Sequence, residues 1–152
     1  MTWFEYQRPQ SLGEASDLLR KDDSVALAGG TDLLVALRHR TVRPALVVDL
    51  KSVTDIADET EVEGDRLRIG GRVVMSRLTR NEHVSRHFPA MAQAAAVVGS
   101  VQIRNRATLA GNLCNASPAA DSVPALVAAS ARASVVGPGG RRTIPVGRVP
   151  TG

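Results

Sequence analysis

The sequence predicts an α+β domain, and three observations carry that prediction. In "VALAGGTDLLVALRHRTVRPALVVDL", residues 25–50, a short apolar run, a glycine turn and a helical repeat lead into a second apolar run. That is a strand-helix-strand pattern, for which parallel strands are the default. "TEVEGDRLRIGG" alternates about Gly64-Asp65, and "ARASVVGPGGRRTIPV" turns at Pro-Gly-Gly, as two hairpins do. Helical repeats fill the space between those hairpins.

Composition bounds the function classes. A chain of 152 residues with 43% hydrophobic content suits one domain with a real core. No apolar run reaches the ~18 to 20 residues of a membrane span, and the first residues do not read as a secretory signal, so the expected location is the cytoplasm without a membrane partner. Cys114 is the sole cysteine. This chain alone therefore holds no disulfide, thiolate zinc site or iron–sulfur cluster, and any such cluster belongs to a partner. The net charge of +4 raises nucleic acid as a ligand, but aromatic residues make up only 3% and the Lys and Arg are scattered. They read as solvated surface.

The elements follow in order. Trp3, Phe4 and Tyr6 are expected to anchor an N-terminal strand. Ser11-Leu12-Gly13-Glu14 has the form of a capping box and opens a helix to about Arg20, with Leu12, Ala15, Leu18 and Leu19 on one face. "VALA", 25–28, is a short buried strand. Leu33, Leu34 and Leu37 give a second amphipathic helix ending in Arg38, His39 and Arg40, cations suited to a helix C-terminus. "ALVVDL", 45–50, is a buried strand, and the architecture changes beyond Lys51. After the first hairpin, "MSRLTRNEHVSRHFP" is mostly helical. "FPAMAQAAAVVG" carries Phe88, Met91, Ala92 and Ala95 on one helical face. Residues 101–119 read as polar, punctuated loop, and a last apolar helix covers about 120–130.

The glycines raise the question of chemistry. A pair between strand and helix lets backbone N–H groups approach a phosphate, because no Cβ intervenes and the helix dipole favours an anion; a plain tight turn is the alternative. "AGGTD" matches neither the P-loop nor the dinucleotide fingerprint. A second stretch, "RNRATLAGNLCNASPAADS", again sets small residues and Thr, Asn and Ser donors ahead of an apolar helix. Two such loops could grip one diphosphate, and neither carries the lysine of an NTPase.

These residues also carry a resemblance. "LAGGTDLLVALR" and "GSVQIRNRATLAGNLCNASPAADSVPALVA", with "FEYQRPQSLGEASDLL" and "RRTIPV", resemble the FAD-binding domain of the medium subunit of molybdenum hydroxylases, the xanthine dehydrogenase and carbon monoxide dehydrogenase family. The resemblance implies a vanillyl-alcohol-oxidase/p-cresol-methylhydroxylase-type fold of two α+β subdomains, residues 1–51 and 52–152, with FAD between them. It implies a first diphosphate loop of Ala26, Leu27, Ala28, Gly29, Gly30, Thr31, Asp32 and Leu33, and a second of Thr108, Leu109, Ala110, Gly111 and Asn112. Asp121 matches a cofactor-contacting acid, and Val98 and Asn115 match flanking contacts. The implied partners are a molybdenum-cofactor large subunit and a small subunit with two-iron, two-sulfur clusters, whose electrons pass through FAD to NAD or another acceptor. No side chain is expected to act as catalytic acid or base.

Two departures from the family pattern stand out. Ala107 and Ala110 replace glycines, at about 1 kcal/mol or more each if the backbone needs φ > 0. The family subunit also continues past "RTIPV" into a flavin-contacting segment and a further domain, so the larger subdomain is expected to be truncated. Together these leave a non-catalytic assembly module without FAD as the rival reading. Elsewhere, Asp121 doubles as a helix cap, and Cys114 is expected to be a small buried residue. His83 and His87 make an i, i+4 pair without a third metal ligand.

Overall fold

Strands β1 (Glu5–Gln7), β2 (Ser24–Leu27) and β3 (Leu46–Asp49) form a parallel sheet in the order β1-β3-β2. The computed structural model describes residues 3–149, so the closing Pro150-Thr151-Gly152 lies outside the described residues. β3 is central and wholly buried, which suits its run of Leu, Val and Val. Leu46 and Val48 pack with Ala15 of helix α1 (Leu12–Leu18) and with Val53; Val47 points to the opposite face by the two-residue strand period.

The ends of these elements obey local chemistry. Ser11 Oγ accepts from Glu14 N at 3.2 Å, while the Glu14 carboxylate accepts from Gln10 N at 2.9 Å, so the capping box closes one residue further out than its ideal form. Helix α2 (Leu33–His39) ends at Arg40 with φ 59°, after a basic last turn. It buries none of its residues fully. Leu34 is 58% and Val35 53% exposed, which corrects the expectation of a leucine face turned inward. Trp3 is 99% exposed and anchors nothing, whereas Tyr6 donates its hydroxyl hydrogen bond to the buried Asp49.

Beyond a 3-10 turn at Leu50–Ser52, β4 (Thr60–Glu63) and β5 (Arg66–Ile69) form the expected hairpin, with Gly64 at φ +64°. The stretch expected to be mostly helical divides into α3 (Met75–Leu78) and α4 (Glu82–His87), and α5 (Pro89–Val97) follows. Helices α6 (Val101–Arg104) and α7 (Leu109–Asn115) occupy what read as loop. Then come α8 (Ser122–Ala128) and the hairpin β6 (Arg132–Gly137) and β7 (Gly140–Pro145). Val73, Met75, Leu78, Val84, Met91, Ala95, Leu109 and Leu126 make the larger core. Each large side chain there contributes about 1.5–3 kcal/mol on burial. That core is what holds α7, and therefore the second turn, in place.

Candidate functional site

β2 and β3 run parallel, with Leu27 paired to Asp49, so the chain leaves both strands at the same edge of the sheet. In open parallel sheets that carboxyl edge is where ligands bind. Asp49 is buried there, 1% exposed, with Lys51 Nζ at 2.8 Å and Lys51 N at 2.9 Å. Burial by itself would raise its pKa, but the hydrogen bonds from Lys51 and Tyr6 and the Lys51 charge outweigh that and hold it below the usual value. The same bond pushes the Tyr6 hydroxyl up.

The first glycine loop emerges at this edge. Gly30 adopts φ +80°, the left-handed region that favours glycine, and its N–H and those of Gly29, Thr31, Asp32 and Leu33 meet no backbone or side-chain acceptor among the described residues. Thr31 Oγ1 donates to Asp32 Oδ2 at 3.2 Å, and Asp32, though at the N-cap position of α2, makes no capping bond. Five consecutive donors are thus available for an anion. Ala26 is exposed, Leu27 is buried, and Ala28, Gly29, Gly30, Thr31 and Leu33 are half-buried.

The second stretch meets the first through bare backbone. A Cβ on Gly29 would lie 2.1 Å from Arg106 O and 3.0 Å from Ala107 Cα, so only glycine permits the approach. A Cβ on Gly111 would stand 3.7 Å from Ala28 Cβ. Residues 107–109 are themselves clamped to 73–75: Met75 N donates to Ala107 O at 2.9 Å and Leu109 N to Val73 O at 3.0 Å. Thr108 caps α7, its Oγ1 accepting from Gly111 N at 3.1 Å. Leu109, Ala110, Gly111 and Asn112 therefore form a helical first turn. The sequence reading had placed them in a loop.

Neither Ala107 nor Ala110 has positive φ, so the expected cost of alanine at these positions does not arise. Ser122 Oγ donates to Asn112 Oδ1 and draws the start of α8 against this turn. Asp121, just before it, is exposed and makes no capping bond, so the N-cap role expected for it is unfilled. Val98 and Asn115 are more distant. Asn115 is exposed at the far end of α7, about 9 Å of helix from Leu109, and Val98 O is held by Arg104 at 3.2 Å in the turn before α6.

Cys114 is exposed rather than buried in the core, and partial burial of its thiol raises the pKa, which disfavours the reactive thiolate. The rings of His83 and His87 stack at 6.5 Å. Among the described residues no group of three or more His, Cys, Asp or Glu could hold a metal ion, and no helix is long and apolar enough to cross a membrane. Two shallow concavities, one beside Asp58, Ser76 and Arg80 and one beside Ser130 and Val146, include no residue of the glycine loops.

A family model for the FAD-binding domain in molybdopterin dehydrogenase matches residues 2–149. The chain belongs to that family. FAD is the cofactor by which the family is defined, and the α+β architecture is its FAD-binding fold. The xanthine dehydrogenase FAD-binding subunit of Escherichia coli O157:H7 is 34% identical over 148 residues, 97% of this chain and 51% of that protein. Caffeine dehydrogenase subunit beta of Pseudomonas sp. (strain CBB1) is 40% identical over 130 residues, covering 84% and 43%. A solved carbon monoxide dehydrogenase of Hydrogenophaga pseudoflava superposes with a TM-score of 0.92 at 32% identity, over 96% of this chain and 51% of the other. The chain thus spans about half the length of the curated relatives it matches.

Proposed function

We propose that this chain holds FAD with its diphosphate between residues 26–33 and 108–112, and serves as the electron-transfer module of a molybdenum hydroxylase. The observation that carries the reading is the contact of Gly29 with Arg106 and Ala107, which brings five unused backbone donors of the first loop against the start of α7. Backbone N–H groups at a glycine-rich strand-to-helix junction suit an anion that must be approached closely. The residues present fit the group.

When bound, the isoalloxazine ring supplies the redox chemistry, taking electrons from a donor and passing them to an acceptor. This chain's part is binding and orientation. Gly29 to Leu33 would hold the phosphate oxygens through their N–H groups, and Thr108 would add a hydroxyl whose oxygen already caps α7. Asp32 and Asp121, exposed carboxylates, are unsuited to phosphate, and a carboxylate such as Asp121 suits a ribose hydroxyl. No side chain at either turn is required to move a proton. The electron donors in this reading are two-iron, two-sulfur clusters of a small subunit, the oxidised substrate meets molybdenum in a large subunit, and NAD or another carrier accepts. We also take residues 1–51 and 52–152 as the two subdomains between which FAD lies, and the cytoplasm as its site of action.

Visible absorption of the purified chain, alone and after incubation with FAD and removal of the free cofactor, tests the reading. Stoichiometric flavin is expected. A chain that stays colourless yet folded by circular dichroism would favour the assembly module instead. That rival has lost the support of the two alanines, because neither position needs glycine.

A further inference from the structure

We propose that the open face of the β6–β7 hairpin is a docking surface for an acidic segment of another protein, with an apolar side chain of that segment seated beside Val127. The cations of this chain are scattered along the sequence, but their counter-charges are not. Residues 1–96 hold 13 Lys and Arg against 14 Asp and Glu, whereas residues 97–152 hold six Arg against Asp121 alone. Arg132, Arg141, Arg142 and Arg148 all follow that last acidic residue. The net positive charge of the chain therefore arises in this region.

The hairpin register brings two of these cations to one face. Arg132 pairs with Pro145 and Arg141 with Val136; residues opposite each other across the ladder share a face, as do residues two apart along a strand. Arg132, Ser134, Arg141 and Thr143 therefore project from the same side, and all four are exposed. Ala133 and Ile144, on the other side, are half-buried, and Ala133 packs against the larger core. Arg132 Nη2 donates to Thr143 O at 3.3 Å, and Arg141 Nη1 donates to Ser134 Oγ at 3.1 Å. Each guanidinium is steadied by one bond within its own hairpin and keeps further donors for a ligand. Neither pairs with a carboxylate among the described residues.

An apolar feature adjoins this face. Arg132 lines a shallow concavity together with Val127, Ser130, Pro145 and Gly147, where Val127 is 50% exposed at the end of α8. Arg148 follows Gly147 in the chain. Charge on an exposed strand edge also discourages misplaced pairing, but that role needs no seat for an apolar side chain. Guanidiniums bind carboxylates through paired N–H groups, so cations beside an apolar hollow suit a peptide carrying both Asp or Glu and one apolar residue. Other polyanions fit less well. The aromatic residues are Trp3, Phe4, Tyr6 and Phe88, so residues 89–152 offer no ring for a base to stack on or for anchoring at a lipid surface.

The test measures binding of two labelled glutamate-rich peptides, one with a central leucine and one with serine in its place, to the full chain by fluorescence anisotropy at low and high salt. The unaltered chain is expected to bind the leucine peptide several-fold more tightly than the serine peptide, and both more weakly at high salt. Arg132→Gln/Arg141→Gln should weaken both peptides by about tenfold at low salt. Arg38→Gln/Arg43→Gln, which removes the same charge from exposed arginines elsewhere, should weaken them by no more than about twofold. Val127→Ser should abolish the preference for leucine. Equal losses in the two double variants, or no preference for leucine in the unaltered chain, would overturn the proposal and leave a solvated face. So would tighter binding of an oligothymidylate, or of vesicles of phosphatidylserine and phosphatidylcholine, that depends on the same arginine pair. If Arg132→Gln/Arg141→Gln does not fold by circular dichroism, Val127→Ser decides: an undiminished preference for leucine would overturn the proposal, and its loss would support it. None of these readouts depends on FAD.

Discussion

The two turns that meet at Gly29 are built in opposite ways. The first, Gly29 to Leu33, keeps its N–H groups free, relies on one left-handed glycine, and opens a helix that buries none of its residues fully. The second, Ala107 to Asn112, spends most of its N–H groups internally, leaving those of Thr108 and Ala110 without an acceptor among the described residues. Leu109 N goes to Val73 O, Gly111 N to Thr108 Oγ1 and Asn112 N to Thr108 O, while Ala107 and Leu109 sit in the larger core. The first turn offers more donors and the second a more rigid floor. A site assembled this way needs both, because unused donors on a mobile loop would lose their aim and a rigid turn with few free donors would bind weakly.

The largest expected effect comes from separating the two turns. Gly29→Ala puts a methyl 2.1 Å from Arg106 O, backbone that cannot yield cheaply, and should lower FAD affinity by about a hundredfold with several kcal/mol of stability lost. Cofactor titration and urea unfolding read both quantities. Thr108→Ala removes the cap of the floor and one hydroxyl beside the first loop. Loss of the cap should cost roughly 1–2 kcal/mol in unfolding free energy while FAD affinity falls only a few-fold. If the affinity fell as far as in Gly29→Ala, the second turn would be the main donor site and the contrast would break.

Acid should loosen the edge from which the first loop emerges before it touches the second turn. The Asp49 pKa is depressed in the folded chain, so its stabilising contribution is complete above the ordinary value of 3.8 and is lost as pH falls through the lower folded value. Asp49→Asn should abolish that part of the acid transition, as followed by circular dichroism between pH 5 and 2, a range spanning the ordinary Asp value. The smallest effect sharpens the comparison. Ala110→Gly, which restores the usual family residue, should cost only about 0.5–1 kcal/mol through helix propensity and leave FAD affinity unchanged, because residue 110 is helical and not left-handed. A gain in affinity would mean that the backbone itself approaches the cofactor there.

The legible parts were those written in local pattern. Ser11 and Glu14 announced α1, Gly64 and Pro138-Gly139 marked the two hairpins, and Leu46 to Val48 could only be a buried strand. Helices α6 and α7 escaped because each is short and their polar residues hide the helical period. The caps Ser100 and Thr108 were the available signals: each stands three residues before the N–H that its hydroxyl accepts.

By itself, then, the sequence determined most of the element types and the family, since these depend on residue spacing and local pattern. Only the tertiary structure decided which donors stay free, that Ala107 and Ala110 are unstrained, and that Gly29 lies against Arg106 and Ala107. Those facts depend on contacts between segments far apart in the chain, whose geometry the packing of the cores sets and no local pattern records.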